Sequence, residues 1–328
     1  MLPPMDTMKP TLTIIGDVCV DLTMGPIGDW PDIGTETVMD ESETRPGGSG
    51  GNSALAMQYL GERYKLISSL GNDHFGAWLP GFYADGDSHF ATVQAPTTFS
   101  VCLAHTCSER TILTTRGHLE QMNLTHVLRA LQPAQQPGDT ALLAGVFLLP
   151  QLRAEFPRLL AELSAAGHEV AIDTGWPSGG WDDETRAEVL DWLPLCSHLL
   201  VNETEVLSLA GETDLERATK SLKDHLPLNA VLVVKRGRKG ALGITRCDTA
   251  AAQAEHVEVG DSIGAGDTFN AGYLAAHLQG MNTGDALQAG CTLASTVIAR
   301  SPRSAISPGE LASVIRPGTR MKATGTPA

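Results

Sequence analysis

The stretch Gly260–Gly272, G-D-S-I-G-A-G-D-T-F-N-A-G, places a carboxylate directly behind a glycine turn. Gly264 and Gly266 flank the single alanine Ala265, so this half resists helix formation, whereas from Asp267 onward apolar residues recur at helical spacing. A turn that opens into a helix presents N–H groups without intrahelical acceptors and the positive end of the helix dipole, a site suited to a phosphoryl group. Asp267 stands at that mouth. It is either a helix cap or a general base that takes the proton of a hydroxyl attacking a phosphoryl group held by the neighbouring amides. A cap needs only the aspartate. Close approach of backbone to phosphate needs residues without Cβ just before it, and the glycines therefore favour the base.

Other residues have the types and spacing to join such chemistry. Arg45–Leu60, R-P-G-G-S-G-G-N-S-A-L-A-M-Q-Y-L, is a second glycine turn feeding a helix, and Asn52 in it offers both a donor and an acceptor, as a polyol requires. Thr11–Asp21 is apolar and β-branched with charge toward its end, as in a buried strand of a parallel sheet. Ligands of open α/β sheets gather beyond the carboxyl ends of strands, so Asp17 and Asp21 are either substrate contacts or solvated strand-end carboxylates. In V-N-E-T-E-V, Asn202 and Glu205 stand three apart where a strand meets a helix, which suits a capping box as well as a ligand pair. Ala230–Ala241, A-V-L-V-V-K-R-G-R-K-G-A, is a strand running into the densest positive charge of the chain, either a solvated hairpin end or an anion contact.

The segment D-S-I-G-A-G-D resembles the C-terminal signature of the ribokinase (PfkB) family of carbohydrate kinases, D-T-x-G-A-G-D. Gly47, Gly48, Asn52 and Ala54 are in register with its N-terminal signature G-G-x-x-x-N-x-A, Asn202 and Glu205 match its N-x-x-E motif, and the turn after Lys235 is similar to the end of its nucleotide strand. The resemblance spans roughly residues 11–316. It implies one ribokinase-like α/β domain: a central, mostly parallel sheet flanked by helices, with a small β-sheet lid from segments 23–44 and 97–116.

It further implies ATP-dependent phosphorylation of a small sugar, on a primary hydroxyl. Asp267 is then the base and Gly264, Ala265 and Gly266 the anion hole. Asp21, Gly47, Gly48 and Asn52 are assigned to the sugar, and Asn202, Lys235, Gly237, Gly240 and Cys291 to the nucleotide. Glu205 is assigned to Mg²⁺, through water if not directly. Asp261 matches an aspartate of members that use a monovalent cation, but Pro302 and Ile306 fall where small residues are expected, which argues against potassium. Phe147 aligns with a sugar-gripping glutamate of ribokinases and implies an apolar wall there instead. A homodimer through the lid is expected, because a small sheet with one apolar face is readily buried against its copy.

The elements that must position these groups follow from periodicity. Thr97–Leu103 and Arg110–Thr115 have the character of a hairpin, and a lid of this kind excludes the water that would otherwise accept the phosphate. From residue 124 the chain alternates: strands over Thr140–Phe147, Glu169–Asp173 and Leu199–Asn202, and a helix over Arg153–Ala166. Such alternation predicts a parallel sheet covered on both faces.

Composition narrows the partners. With 23 basic against 38 acidic residues the net charge is −15, unsuited to a nucleic-acid or anionic-membrane surface and compatible with a small polar substrate. The six cysteines, at 19, 102, 107, 196, 247 and 291, have no zinc-like spacing and read as reduced thiols. The first ten residues have no apolar signal region and no run reaches the length of a membrane span, so a cytoplasmic protein is expected. Residues 317–328 lack apolar periodicity and are expected to be disordered. No P-loop, dinucleotide fingerprint or H-E-x-x-H helix occurs. Two rivals remain: a nucleoside kinase of the adenosine-kinase type, and a non-catalytic sugar or nucleoside sensor, against which the intact Asp267 argues.

Overall fold

The computed structural model describes residues 9–83, 86–106, 110–300 and 306–315. Cys107, Pro302 and the tail 317–328 lie outside the described residues, as does most of the N-terminal segment.

A nine-stranded sheet forms the centre. Its parallel part runs β5 (Asp87–Thr92), β4 (Tyr64–Leu70), β1 (Leu12–Gly16), β8 (Thr140–Ala144), β9 (Glu169–Ile172), β10 (His198–Asn202) and β11 (Val231–Lys235) in spatial order. Antiparallel strands β12 (Ala241–Ile244) and β13 (Thr249–Ala252) extend it at one edge. Successive side chains of a strand face opposite sides, and here neighbours divide between two cores. Ile14, Leu142 and Val233 join the core that holds helices α1 (Ser49–Leu60), α9 (Ala265–Leu278) and α10 (Thr283–Ile298). Ile15, Leu143 and Val234 join the core on the other face, with Phe156, Val189 and Leu222 from the helices there. Because both faces are covered, the strands read as continuous apolar runs.

Several expected elements end earlier than their apolar runs suggest. The strand expected over Thr11–Asp21 is two strands: β1 stops at Gly16, and Cys19 begins β2 (Cys19–Ile27) of a second sheet. The carboxylate of Asp17 between them is buried and accepts the Gly50 N–H at 3.1 Å, a bond that a continued ladder would not provide. Thr140–Phe147 likewise ends at Ala144, where Gly145 turns the chain into a 3₁₀ turn, Val146–Leu148. The helix expected over Arg153–Ala166 is split into α4 (Pro150–Ala154) and α5 (Phe156–Ala165), because Pro157 fits only a first turn.

The second sheet has the order β3 (Glu41–Gly47), β2, β6 (Phe99–His105), β7 (Arg110–Thr114) and stands over the carboxyl ends of the central strands. The hairpin β6–β7 is antiparallel as expected, while β2 and β6 are parallel. Asp21 therefore belongs to this lid sheet and not to the central one. Polar contacts among the described residues tie lid to body: Arg45 on β3 forms an ion pair with Asp261 at 2.5 Å, and Arg110 on β7 donates to Ser262 Oγ at 3.4 Å. Among the described residues no helix is long and apolar enough to cross a membrane, and five cysteines are free thiols.

Candidate active site

A cleft of about 1220 Å³ lies between the lid and the carboxyl ends of the parallel strands. Strand ends supply much of its floor: Asp17 follows β1, Asp173 follows β9, Asn202 ends β10 and Lys235 ends β11. Asp21 reaches in from the lid, Gly48 and Asn52 from the start of α1, and Gly264, Ala265, Gly266 and Asp267 from the start of α9. Glu205, Gly237, Gly240 and Cys291 also line it. Residues spread over the whole chain thus meet in one place. Gly47 and Asp261, by contrast, are not part of the lining.

Helix α9 begins at Ala265, with Gly264 before it in the left-handed region at φ 71° and no side-chain cap. Asp267 is therefore inside the first turn and does not cap the helix. Its Oδ2 instead accepts a hydrogen bond from Asn52 Nδ2 at 2.9 Å, and its backbone carbonyl accepts one from Ser53 Oγ at 3.3 Å. Burial, and then the negative charge of Asp173, push the Asp267 carboxyl up to about 7, while the Asn52 bond and Lys235 pull the other way. A carboxyl poised near neutrality suits a general base.

Positive charge is supplied at the same helix mouth. Lys235 Nζ lies 3.5 Å from where a Cβ on Gly266 would stand, which puts the ammonium in ordinary contact distance of the glycine turn. Lys235 is held there by Asp173 Oδ2 at 2.8 Å and Asn270 Oδ1 at 3.2 Å. Asn270 also donates to Asp173 Oδ2, closing a buried triangle. In the rest of the basic turn, Arg236 and Lys239 share the single carboxylate of Glu203, so the turn keeps a net positive charge. Arg238 lines the cleft.

Asn202 and Glu205 form a reciprocal capping box on α7 (Glu203–Ala210). Asn202 N–H donates to Glu205 Oε2 at 2.8 Å and Glu205 N–H to Asn202 Oδ1 at 2.9 Å. Capping does not remove the carboxylate from the cleft: burial and the nearby Asp173 push Glu205 up to about 7. Two crowded carboxylates facing one cleft form an oxygen donor set that a hard divalent cation such as Mg²⁺ would relieve, so the residues present fit that ion.

On the sugar side, burial raises Asp17 to about 6. A Cβ on Gly47 would stand 2.1 Å from Asp21 Cγ, so the glycine makes room for that carboxylate and does not itself reach the cleft. Asp261 is engaged by Arg45 on one oxygen, and its Oδ1 accepts the Ile263 N–H at 2.8 Å. Phe147 is turned away from the cleft. Its ring packs edge-on against Trp181 at 5.6 Å and carries the Arg153 guanidinium at 4.8 Å, so the apolar wall expected of it is absent, and Leu148 lines the cleft instead.

Residues 11–308 match the model of the pfkB family of carbohydrate kinases. The chain belongs to that family. Among curated relatives of this pfkB kinase, the 1-phosphofructokinase of Haloferax volcanii is 28% identical over 270 residues, covering 79% of this chain and 81% of the relative. Among solved structures, adenosine kinase from Sinorhizobium meliloti superposes with a TM-score of 0.77 at 21% identity over 93% of this chain and 98% of its own. A putative ribokinase II from E. coli, in complex with ATP and Mg²⁺, gives 0.78 at 19% identity over 93% and 98%. At these identities the structures establish a ribokinase-like fold.

Sequence reasoning missed two residues of this pfkB kinase site, Asp173 and Asn270, and one, Arg45, that ties the lid beside it. Asp173 follows the apolar strand E-V-A-I as Asp17 follows L-T-I-I-G, and the strand-end rule that singled out Asp17 applies to it equally. Asn270 is a fully buried polar residue one turn after Asp267 on the same helix. Arg45 carried no signal, since its partner is more than two hundred residues away in sequence.

Proposed function

We propose that this pfkB kinase transfers the γ-phosphate of ATP to a hydroxyl of a small sugar, with Asp267 as the general base. The observation that carries the reading is the state of Asp267: it caps nothing, is held by Asn52, and has its carboxyl raised to about 7 at the mouth of α9.

Asp267 takes the proton as the acceptor hydroxyl attacks, and Asn52 keeps the carboxylate aimed while it does so. The amides of Gly264, Ala265 and Gly266 and the ammonium of Lys235 stabilise the negative charge that builds on the transferred phosphoryl oxygens. Asp21 and Asn52 orient the acceptor, which converts part of the barrier into binding. The lid sheet excludes competing water. Glu205, with Asn202 and Asp173 around it, would hold Mg²⁺ near the nucleotide, and that ion when bound neutralises phosphate charge. Asn202, Lys235, Gly237, Gly240 and Cys291 are the proposed nucleotide contacts.

One observation favours nucleoside as the acceptor class. Trp176 lines the cleft with 54% of its surface exposed while its ring meets Trp181 edge-on at 6.4 Å, an aromatic on which a base would stack. Measuring ADP formation with ATP and Mg²⁺ over a panel of sugars and nucleosides tests both readings. Turnover on sugars supports the proposal, turnover on nucleosides alone replaces it with the second, and a folded protein that phosphorylates neither overturns both in favour of a binding role.

A further inference from the structure

At the other end of the central sheet, away from the cleft, Glu169, His198 and His277 bring three donor atoms together. Glu169 is the first residue of β9, His198 the first of β10, and His277 sits in the last turn of α9. Both imidazoles turn Nε2 toward one carboxylate oxygen: Glu169 Oε2 lies 3.0 Å from His277 and 3.5 Å from His198. The three donor atoms all lie within 4.8 Å of one another, and the two rings stand 4.4 Å apart. Phosphoryl transfer uses none of these residues.

We propose that Glu169, His198 and His277 form a binding site for a zinc-class divalent cation. Zinc takes imidazole nitrogen and carboxylate oxygen at about 2.0–2.2 Å, which in a tetrahedron spaces the donors by roughly 3.3 Å. The two separations to Glu169 bracket that spacing, and the one between the imidazole nitrogens is no more than 4.8 Å. The donor set also selects the metal, because two imidazoles suit zinc, cobalt or nickel and not magnesium.

The surroundings supply what such a site requires. His198 is buried, and its Nδ1 lies 3.0 Å from the Tyr273 hydroxyl. With Nδ1–H donating to that hydroxyl, the Nε2 lone pair points to the metal, the usual way an outer partner fixes the tautomer of a ligating histidine. Glu169 and His277 keep 40% and 30% of their side-chain surface exposed, which leaves an entry path and room for water as a fourth ligand. Bound there, the cation would pin the end of α9 to the starts of two neighbouring strands, bracing the helix whose opposite end carries Asp267.

The test uses the untagged, full-length, chelator-treated protein titrated with Co²⁺, whose visible absorption reports coordination by nitrogen. The expected result is one Co²⁺ per chain, displaced by Zn²⁺, with a rise in melting temperature for Zn²⁺ but not for equal Mg²⁺. His277→Gln and Glu169→Gln should each abolish the cobalt bands, and Tyr273→Phe should weaken binding by about 10–100-fold, as loss of an outer partner does. Should one of these variants fail to fold, the other two still decide. Absence of cobalt bands in the wild type, bands that persist in folded His277→Gln or Glu169→Gln, or an unchanged Co²⁺ affinity in folded Tyr273→Phe overturns the site and leaves a hydrogen-bonded cluster only.

Discussion

Asn52 Nδ2, near the start of α1, donates to Asp267 Oδ2, in the first turn of α9, at 2.9 Å. The bond joins two helices that each open from a glycine turn, and it fixes the direction of the carboxylate proposed to accept the substrate's proton. It also lowers the affinity of Asp267 for that proton, against burial and Asp173, which raise it.

Asp267→Asn keeps the size and the polarity of the side chain but cannot accept a proton. Turnover should fall by about 10²–10⁴-fold, the usual contribution of positioned acid–base catalysis. Substrate affinity should change far less. A variant that keeps more than about a tenth of wild-type turnover would remove Asp267 from the role of base.

The same substitution has a stability signature with a definite sign. Burial holds the native Asp267 carboxyl up at about 7, well above the ordinary aspartate value, so the native state binds the proton more tightly than the unfolded chain. The associated stability is fully present below about 4 and is lost as pH rises through about 7. Asp267→Asn should therefore gain melting temperature relative to wild type between pH 5 and pH 8. An unchanged difference across that range contradicts the raised value.

Catalysis should follow the same group. The plot of kcat/KM against pH should rise through an ionisation near 7, because only the ionised carboxylate is a base. Asn52→Ala removes a hydrogen bond that lowers the Asp267 value, and should move that rising limb to higher pH. A limb that stays in place in Asn52→Ala would assign it to another group.

Lys235→Met leaves Asp173 buried beside Glu205 and Asp267 without its cation. Removing one partner of such a pair costs about 3–5 kcal/mol, so denaturant melts should show a large drop. Adding Asp173→Asn should restore much of the stability but not turnover, since the ammonium at the anion hole remains missing. Recovery of both would confine Lys235 to a structural role.

The lid carries two further expectations. Arg45 occupies one oxygen of Asp261, so turnover should be indifferent to replacing K⁺ by tetramethylammonium; strong stimulation by K⁺ would overturn this. β7 is an edge strand whose Ile112 faces the cleft and whose Leu113 is exposed on the other side, and we propose that a second copy covers that edge. Light scattering should give a dimer at micromolar concentration, and a monomer there would exclude it.

The sequence by itself determined the reaction class and most of the floor of the cleft. Glycine turns before helices, and polar residues at the ends of apolar strands, are local patterns. They located Asp267, Asn52, Asn202, Glu205 and Lys235 because their chemistry depends on the elements that carry them. Periodicity also gave the parallel sheet and the β6–β7 hairpin, since both leave alternating or continuous apolar runs. What the tertiary structure decided are partnerships across the chain. It gave the Asp267 carboxylate a bond from Asn52, set Asp173 and Asn270 around Lys235, and gave Asp261 to Arg45. It moved Asp21 into the lid by ending β1 at Gly16, and turned Phe147 into the second core beside Trp181. None of these leaves a periodic trace, because side-chain direction and long-range pairing are fixed by packing between elements and not by the residues next in sequence.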